Sequence, residues 1–410
     1  MTAGATAPAR FNPFSADFRT DPHPTYRRLR AERPVHRTMG MWVLTRYADV
    51  HAVLRDRTAS AGLIPDLVGQ HARRLTGADV PRIERLGRKS LVFTDNPDHA
   101  RLRGLVNRVF TARAVEELRP RVVAVAAELA GAARRRGGMD AVADFAAPLP
   151  VRVLSDWMGL PPGLRDRVGG WTHDVRFLLE PGLMSAADFA RVREVVEDFA
   201  TALGEVLADR RRRPGDDLVS RLLAVRTAGG DRLTDEELVF VCMMCFIAGN
   251  ETTKSLIGNG LLALLQHPDQ AERLRRDPGL ARAAVAEALR YDSPLALTKR
   301  RATRDQEIGG QPVRAGDQLL LCLAAANRDP AVFTDPDAFD LDREPRAHLG
   351  FGHGMHGCLG GMLAELQAEV AFGTLAGDRL ELTGEPLEWQ DHSMIVRGLK
   401  RLPVRLRGGR

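Results

Sequence analysis

At 410 residues, with 44% hydrophobic and 27% charged side chains, the chain is long enough to bury a deep core, and its composition excludes a disordered or fibrous class. The net charge is +6, but the basic residues are nearly all arginine scattered among acids, and the densest run, RRRR at 210–213, leads into Pro214, Gly215, Asp216 and Asp217. That run reads as a solvated helix end, so no nucleic-acid partner is expected.

Helical periodicity predicts helices over 24–32, 99–110, 114–136, 187–212, 235–265, 279–291 and 359–373. Strand-like pieces are short: 42–45, 307–308, 318–323 and 402–406. No repeat or low-complexity linker divides them, so the reading is one continuous domain over 1–410, mainly α with small β-sheets (α+β), behind a disordered stretch at 1–10. MTAGATAPARFNPFS lacks the pattern of a signal peptide, and no apolar run is long enough for a bilayer. The cysteines, Cys242, Cys245, Cys322 and Cys358, are too few and too clustered for a disulfide framework, so a reducing cytoplasm and no membrane contact are expected. Cys242 and Cys245 form a C-x-x-C among Val, Met, Phe and Ile, which reads as core and not as a redox pair.

Two turn-rich stretches, 326–346 and 351–361, interrupt the helices of the C-terminal half. The second, FGHGMHGCLGG, sets Cys358 just before an amphipathic helix. Free amides and the positive end of the helix dipole favour a thiolate there, and glycines let a flat ligand approach the backbone. Such a thiolate suits haem iron. On the loop alone two other readings stand beside it: a zinc site seeded by His353, His356 and Cys358, and a plain glycine-rich turn around a buried cysteine.

A polar patch, AGNETT, interrupts the apolar helix at 235–265. Gly249 lets a ligand approach the backbone, and Thr252 can bond a carbonyl of the preceding turn and loosen it. The bland alternative is a helix bulge with a solvated Glu251.

Phe351, Gly354, Cys358 and Gly360 match the F-x-x-G-x-x-x-C-x-G loop of the cytochrome P450 superfamily, and Glu287 and Arg290 in EALRYDSP match its E-x-x-R pair. Arg343 in FDLDR stands where the family places the third partner of that pair. The chain resembles this family over essentially its whole length, in its bacterial, actinomycete-like monooxygenase branch: FNPFSADFRTDPHPTYRRLR, TDNPDHARLRGLVNRVF, AGNETT, AANRDP and VRGLKRLPVRL carry the likeness.

The resemblance implies the cytochrome P450 fold, haem b ligated by Cys358, and O2 activated with electrons from NAD(P)H through a ferredoxin or flavodoxin-type donor. By the same match Glu251 relays protons and Thr252 steadies the reacting oxygen. His99, Arg103, Arg300 and His356 match contacts to the haem propionates, with Arg301 competing with Arg300 for the inward place. Ala248, Gly249, Phe351, Gly352 and Gly360 match the haem faces, while Leu295, Ala296, Leu297, Thr298, Met394 and Ile395 match the substrate pocket. The function implied is hydroxylation or epoxidation of an apolar or amphipathic secondary metabolite by a monomeric enzyme. A non-catalytic haem sensor or carrier is the alternative. Arg101, Arg108 and Arg113 offer a basic face to an acidic donor. Asn250, Lys254, Gly361, Glu365 and Gln367 depart from the common family pattern.

Overall fold

The computed structural model describes residues 9–407 other than 78, 176, 177, 179 and 345–347. Its longest element is the helix Asp235–Gln266. Thr234 starts it with a capping box, its hydroxyl accepting from the Glu237 amide and the Glu237 carboxylate accepting from the Thr234 amide. This central helix is buried on nearly every side, which fits a helix apolar all round. Helices Pro148–Trp157, Pro162–Val175 and Ala186–Arg212 pack on one part of it; Ala281–Tyr291 and Gly361–Ala376 pack on another.

A four-stranded sheet lies beside this helical body, ordered Val35–Thr38, Met41–Leu44, Gln318–Cys322, Leu297–Arg301. The first pair is antiparallel and turns through Met39 and Gly40, both at positive φ (50° and 76°), as a tight two-residue hairpin needs. The second pair is parallel, with Trp42 opposite Leu319, and the third antiparallel, with Arg300 opposite Leu319. Alternation splits the sheet between two apolar clusters. Met41, Val43 and Leu320 join Phe11, Tyr26 and Leu29, while Trp42, Leu44 and Leu321 join Val50 and Leu54. A second sheet orders Gly138–Asp140, Pro403–Arg407, Arg379–Leu382.

The helix predicted at 114–136 is two, Ala112–Glu116 and Arg119–Arg136, the second with Pro120 in its first turn, where the missing amide is harmless. Strands Val35–Thr38 and Leu297–Arg301 were not legible: VHRT and LTKRR are too polar for the alternation rule. Helices Leu63–Thr76, Pro81–Lys89, Pro148–Trp157 and Pro162–Val175 also went unpredicted. Of the stretch 1–10, residues 1–8 lie outside the described residues; Ala9 is buried, and its amide donates to Glu32 Oε2 at 2.9 Å. The arginines at 210 and 211 pair with Asp209, Asp217 and Asp235 around a helix end.

Candidate active site

The cysteine loop is shaped by backbone bonds and two glycines. The Cys358 amide donates to Phe351 O at 2.9 Å and the Gly357 amide to Gly354 O at 3.0 Å, across a tight turn at Gly354–His356. Gly354 has φ +69°, and a Cβ there would stand 2.6 Å from Leu54 O, so only glycine lets the loop seat against helix Tyr47–Arg55.

Above the loop opens a cavity of about 340 Å3. Cys358, Phe351, Gly352 and Gly360 of the loop line it together with Ala248, Gly249, Glu251 and Thr252 of the central helix. The Gly360 amide bonds the Cys358 sulfur and Arg103 lies near it, both favouring a thiolate, but burial outweighs them and pushes the thiol up. This corrects the expectation drawn from helix position alone: Cys358 sits ahead of the cap, Gly360, and not on the helix itself.

Along the edge of the cavity the structure gathers cations and unmatched polar nitrogens. Arg300 is buried, and among the described residues its guanidinium reaches only Thr298 Oγ1 at 3.4 Å and its own strand at Lys299 O, 2.8 Å. Burial pushes it down to about 10, leaving it charged at neutral pH. Arg301 instead points outward toward Asp66 at 3.8 Å, so Arg300 is the inward arginine. Arg103 Nη1 donates to Gly357 O at 2.9 Å and also lines the cavity. His356 stands there with neither ring nitrogen hydrogen-bonded among the described residues, Asp95 Oδ1 lying 3.9 Å from Nε2; burial and the Arg300 charge hold it down to about 4. His99 does not line the cavity itself. Its ring lies 4.4 Å from that of His356, with Nε2 buried and unpartnered.

A buried guanidinium with no ion pair among the described residues, and three histidine nitrogens without hydrogen bonds, are costly unless something completes them. Two propionates of a haem would do so, its iron facing a cysteine that opens on the cavity, and the residues present therefore fit that group. They do not fit zinc. The His353 ring lies 4.6 Å from His51 while His356 faces His99, and among the described residues no cluster of three metal-binding side chains forms.

On the central helix, Thr252 Oγ1 donates to Ala248 O at 2.5 Å, yet the helix continues unbroken, so the expected loosening is absent. Glu251 is not solvated: Lys254 Nζ holds its Oε2 at 2.5 Å. Gly249 serves packing too, since a Cβ there would meet Leu154 Cδ1 at 3.0 Å. Asn250 turns away and donates to Thr172 Oγ1 at 3.3 Å, whereas Gln367 lines the cavity. Cys245 also lines it, a thiol pushed up to about 12, and Cys242 is core.

Leu295, Thr298 and Ile395 line the cavity, but Ala296, Leu297 and Met394 do not. Ala296 and Leu297 are buried in the cluster of Phe11 and Tyr26, and Met394 packs against it as well. Sequence reading missed Glu180, Lys299, Gln390, His392 and Val396, all on the wall. Below, Glu287 and Arg290 pair at 2.7 and 2.8 Å, Arg343 Nε reaches Glu287 Oε1 at 3.1 Å, and Arg290 donates to the carbonyls of Asn327, Pro336 and Ala338.

The cytochrome P450 family profile matches residues 177–278 and 279–376. The chain is 38% identical to vitamin D(3) 25-hydroxylase of Pseudonocardia autotrophica, over 98% of both chains. It is 36% identical to 6-deoxyerythronolide B hydroxylase of Saccharopolyspora erythraea, over 96% of this chain and 98% of that one. The crystal structure of CalO2 superposes with a TM-score of 0.90 at 36% identity, covering 97% and 99% of the two chains. The chain belongs to the cytochrome P450 family. It is a haem-dependent monooxygenase that uses O2 and NAD(P)H-derived electrons delivered by a redox partner. The sensor or carrier alternative finds no support among relatives named as hydroxylases. Among the described residues no helix is long and apolar enough to cross a membrane.

Proposed function

We propose that this cytoplasmic, monomeric enzyme hydroxylates or epoxidises an apolar or amphipathic secondary metabolite held between Cys358 and the Glu251–Thr252 turn. The observation that carries this is one cavity lined both by that cysteine and by that acid and alcohol. Haem, when bound, supplies the iron at which dioxygen is reduced and cleaved. Cys358 would hold the iron, Arg103, Arg300, His99 and His356 the propionates, and Phe351, Gly352, Gly360, Ala248 and Gly249 the two faces. Thr252 already donates its proton to Ala248 O, so its oxygen is left to accept from a donor in the cavity. Glu251, held by Lys254 at the same wall, is the group that carries protons inward. Ile64, Leu154, Val241, Ile247, Leu295 and Ile395 exclude water and select apolar substrates. The electron donor is a ferredoxin or flavodoxin-type protein.

The test is the absorption spectrum of the reduced, carbon monoxide-bound protein. A thiolate-ligated band is expected in the wild type and its loss, with iron retained, in Cys358→His. A wild-type spectrum with nitrogen ligation overturns the reading.

A further inference from the structure

Lys299 is one of four lysines in the chain, and it sits half-buried on the wall of the apolar cavity. Burial pulls its pKa down, and Glu180 pulls it back up through space. Among the described residues its ammonium has neither a hydrogen bond nor an ion pair. Glu180 acts on it only through space, and its oxygens accept elsewhere: Oε2 from the Ser393 hydroxyl and Oε1 from the Met394 amide at 3.0 Å. Those bonds tie the segment at 180 to the loop that carries Ile395 and leave the lysine facing the cavity. Thr298 and Arg300 line the same cavity, and the Arg300 charge acts on His356. Gln390, 5% exposed and also on the wall, has neither its amide nitrogen nor its oxygen hydrogen-bonded among the described residues.

A desolvated ammonium without an acceptor is unfavourable, and a purely apolar substrate would bury it further. A ligand that brings a single negative charge reverses that balance, and one compact ammonium suits a carboxylate better than a dianion. We propose that Lys299 is a substrate-recognition residue that pairs with a carboxylate on an otherwise apolar substrate. The inference rests on the monooxygenase reading of the same cavity and adds the chemical class of what enters it.

The full-length haem protein would be titrated with dodecanoic acid, methyl dodecanoate and dodecanol, reading the change in iron spin state. Equilibrium dialysis of the labelled acid and ester gives the same affinities without the haem signal. The acid should bind roughly 10- to 100-fold more tightly than the ester, the range expected of one charge-assisted contact. Lys299→Met should abolish the preference and Lys299→Arg keep most of it, with the carbon monoxide spectrum of both variants unchanged. Equal binding of acid and ester by the wild type, no binding of the acid, or a preference that survives in Lys299→Met overturns the proposal. A wild-type spectrum without thiolate ligation indicts the cavity reading instead, and dialysis still reports on Lys299.

Discussion

Glu251 and Thr252 are neighbours on one wall, but different things hold them. The threonine hydroxyl is tied to the backbone of its own helix, while the carboxylate is tied to Lys254, a residue the family pattern does not anticipate. In the role proposed for it, Glu251 has to leave that ammonium to move a proton inward. Glu251→Gln removes the carrier and should lower product formation by about 100-fold or more, the usual scale of a lost general acid–base group, with substrate affinity kept. Lys254→Met keeps the carrier and drops only the tether, so its loss should be clearly smaller. Turnover and substrate Kd of both variants check this, and equal losses would mean that the pair acts as one unit. Of this site, Cys358, Glu251 and Thr252 were legible because each lies in a short motif of fixed spacing. Glu180 and Lys299 were not. Glu180 takes its meaning from the Met394 amide 214 residues away, and Lys299 from an edge strand that composition does not announce.

At the scale of elements, the joint between helix Ala281–Tyr291 and the coil that follows the main sheet is an ion pair with almost no access to water. Arg290 and Glu287 have side chains 2% and 4% exposed, and Arg343 closes the triad from the coil at 14%. Glu287 also accepts from the Asp340 amide at 3.0 Å, so its carboxylate organises the coil ahead of the cysteine loop. Removing one partner strands the other in a low-dielectric setting, and Glu287→Gln should destabilise the protein by about 3–5 kcal/mol. Glu117→Gln is the control. Its partners Arg113 and Arg221 have side chains 90% and 31% exposed, and the loss should stay below about 1 kcal/mol. Urea denaturation of the two variants reads the difference; similar midpoints would show that the triad does not hold the coil. The helices on either side of this joint could be read from their apolar period, whereas the coil could be read only as turn-rich. Its path is set by carbonyls that Arg290 collects from Asn327, Pro336 and Ala338, and sequence spacing does not reveal such bonds.

For the whole molecule, the question left by a net charge of +6 is where an electron donor docks. The three arginines proposed from sequence do not share one role. Arg101 is bound to Glu237, whose side chain is 3% exposed, and lies 3.5 Å from Asp231. Arg108 donates to Arg226 O at 2.8 Å. Both are committed to internal contacts that hold the start of the central helix and its neighbours. Arg113 is the exposed one, on helix Ala112–Glu116, which packs against the helix that follows Cys358. Its pair with Glu117 is solvated and weak, so its charge is available to steer an acidic redox partner. Arg113→Glu should therefore slow the first reduction several-fold in stopped-flow at low ionic strength. The difference should vanish near 1 M salt, where the screening length falls to about 3 Å. Arg101→Glu should act differently, costing stability at every salt concentration because it leaves Glu237 buried without its cation. If Arg113→Glu reduces as fast as the wild type at low salt, the donor docks away from this face, and the exposed Met362 beside the cysteine becomes the next residue to change.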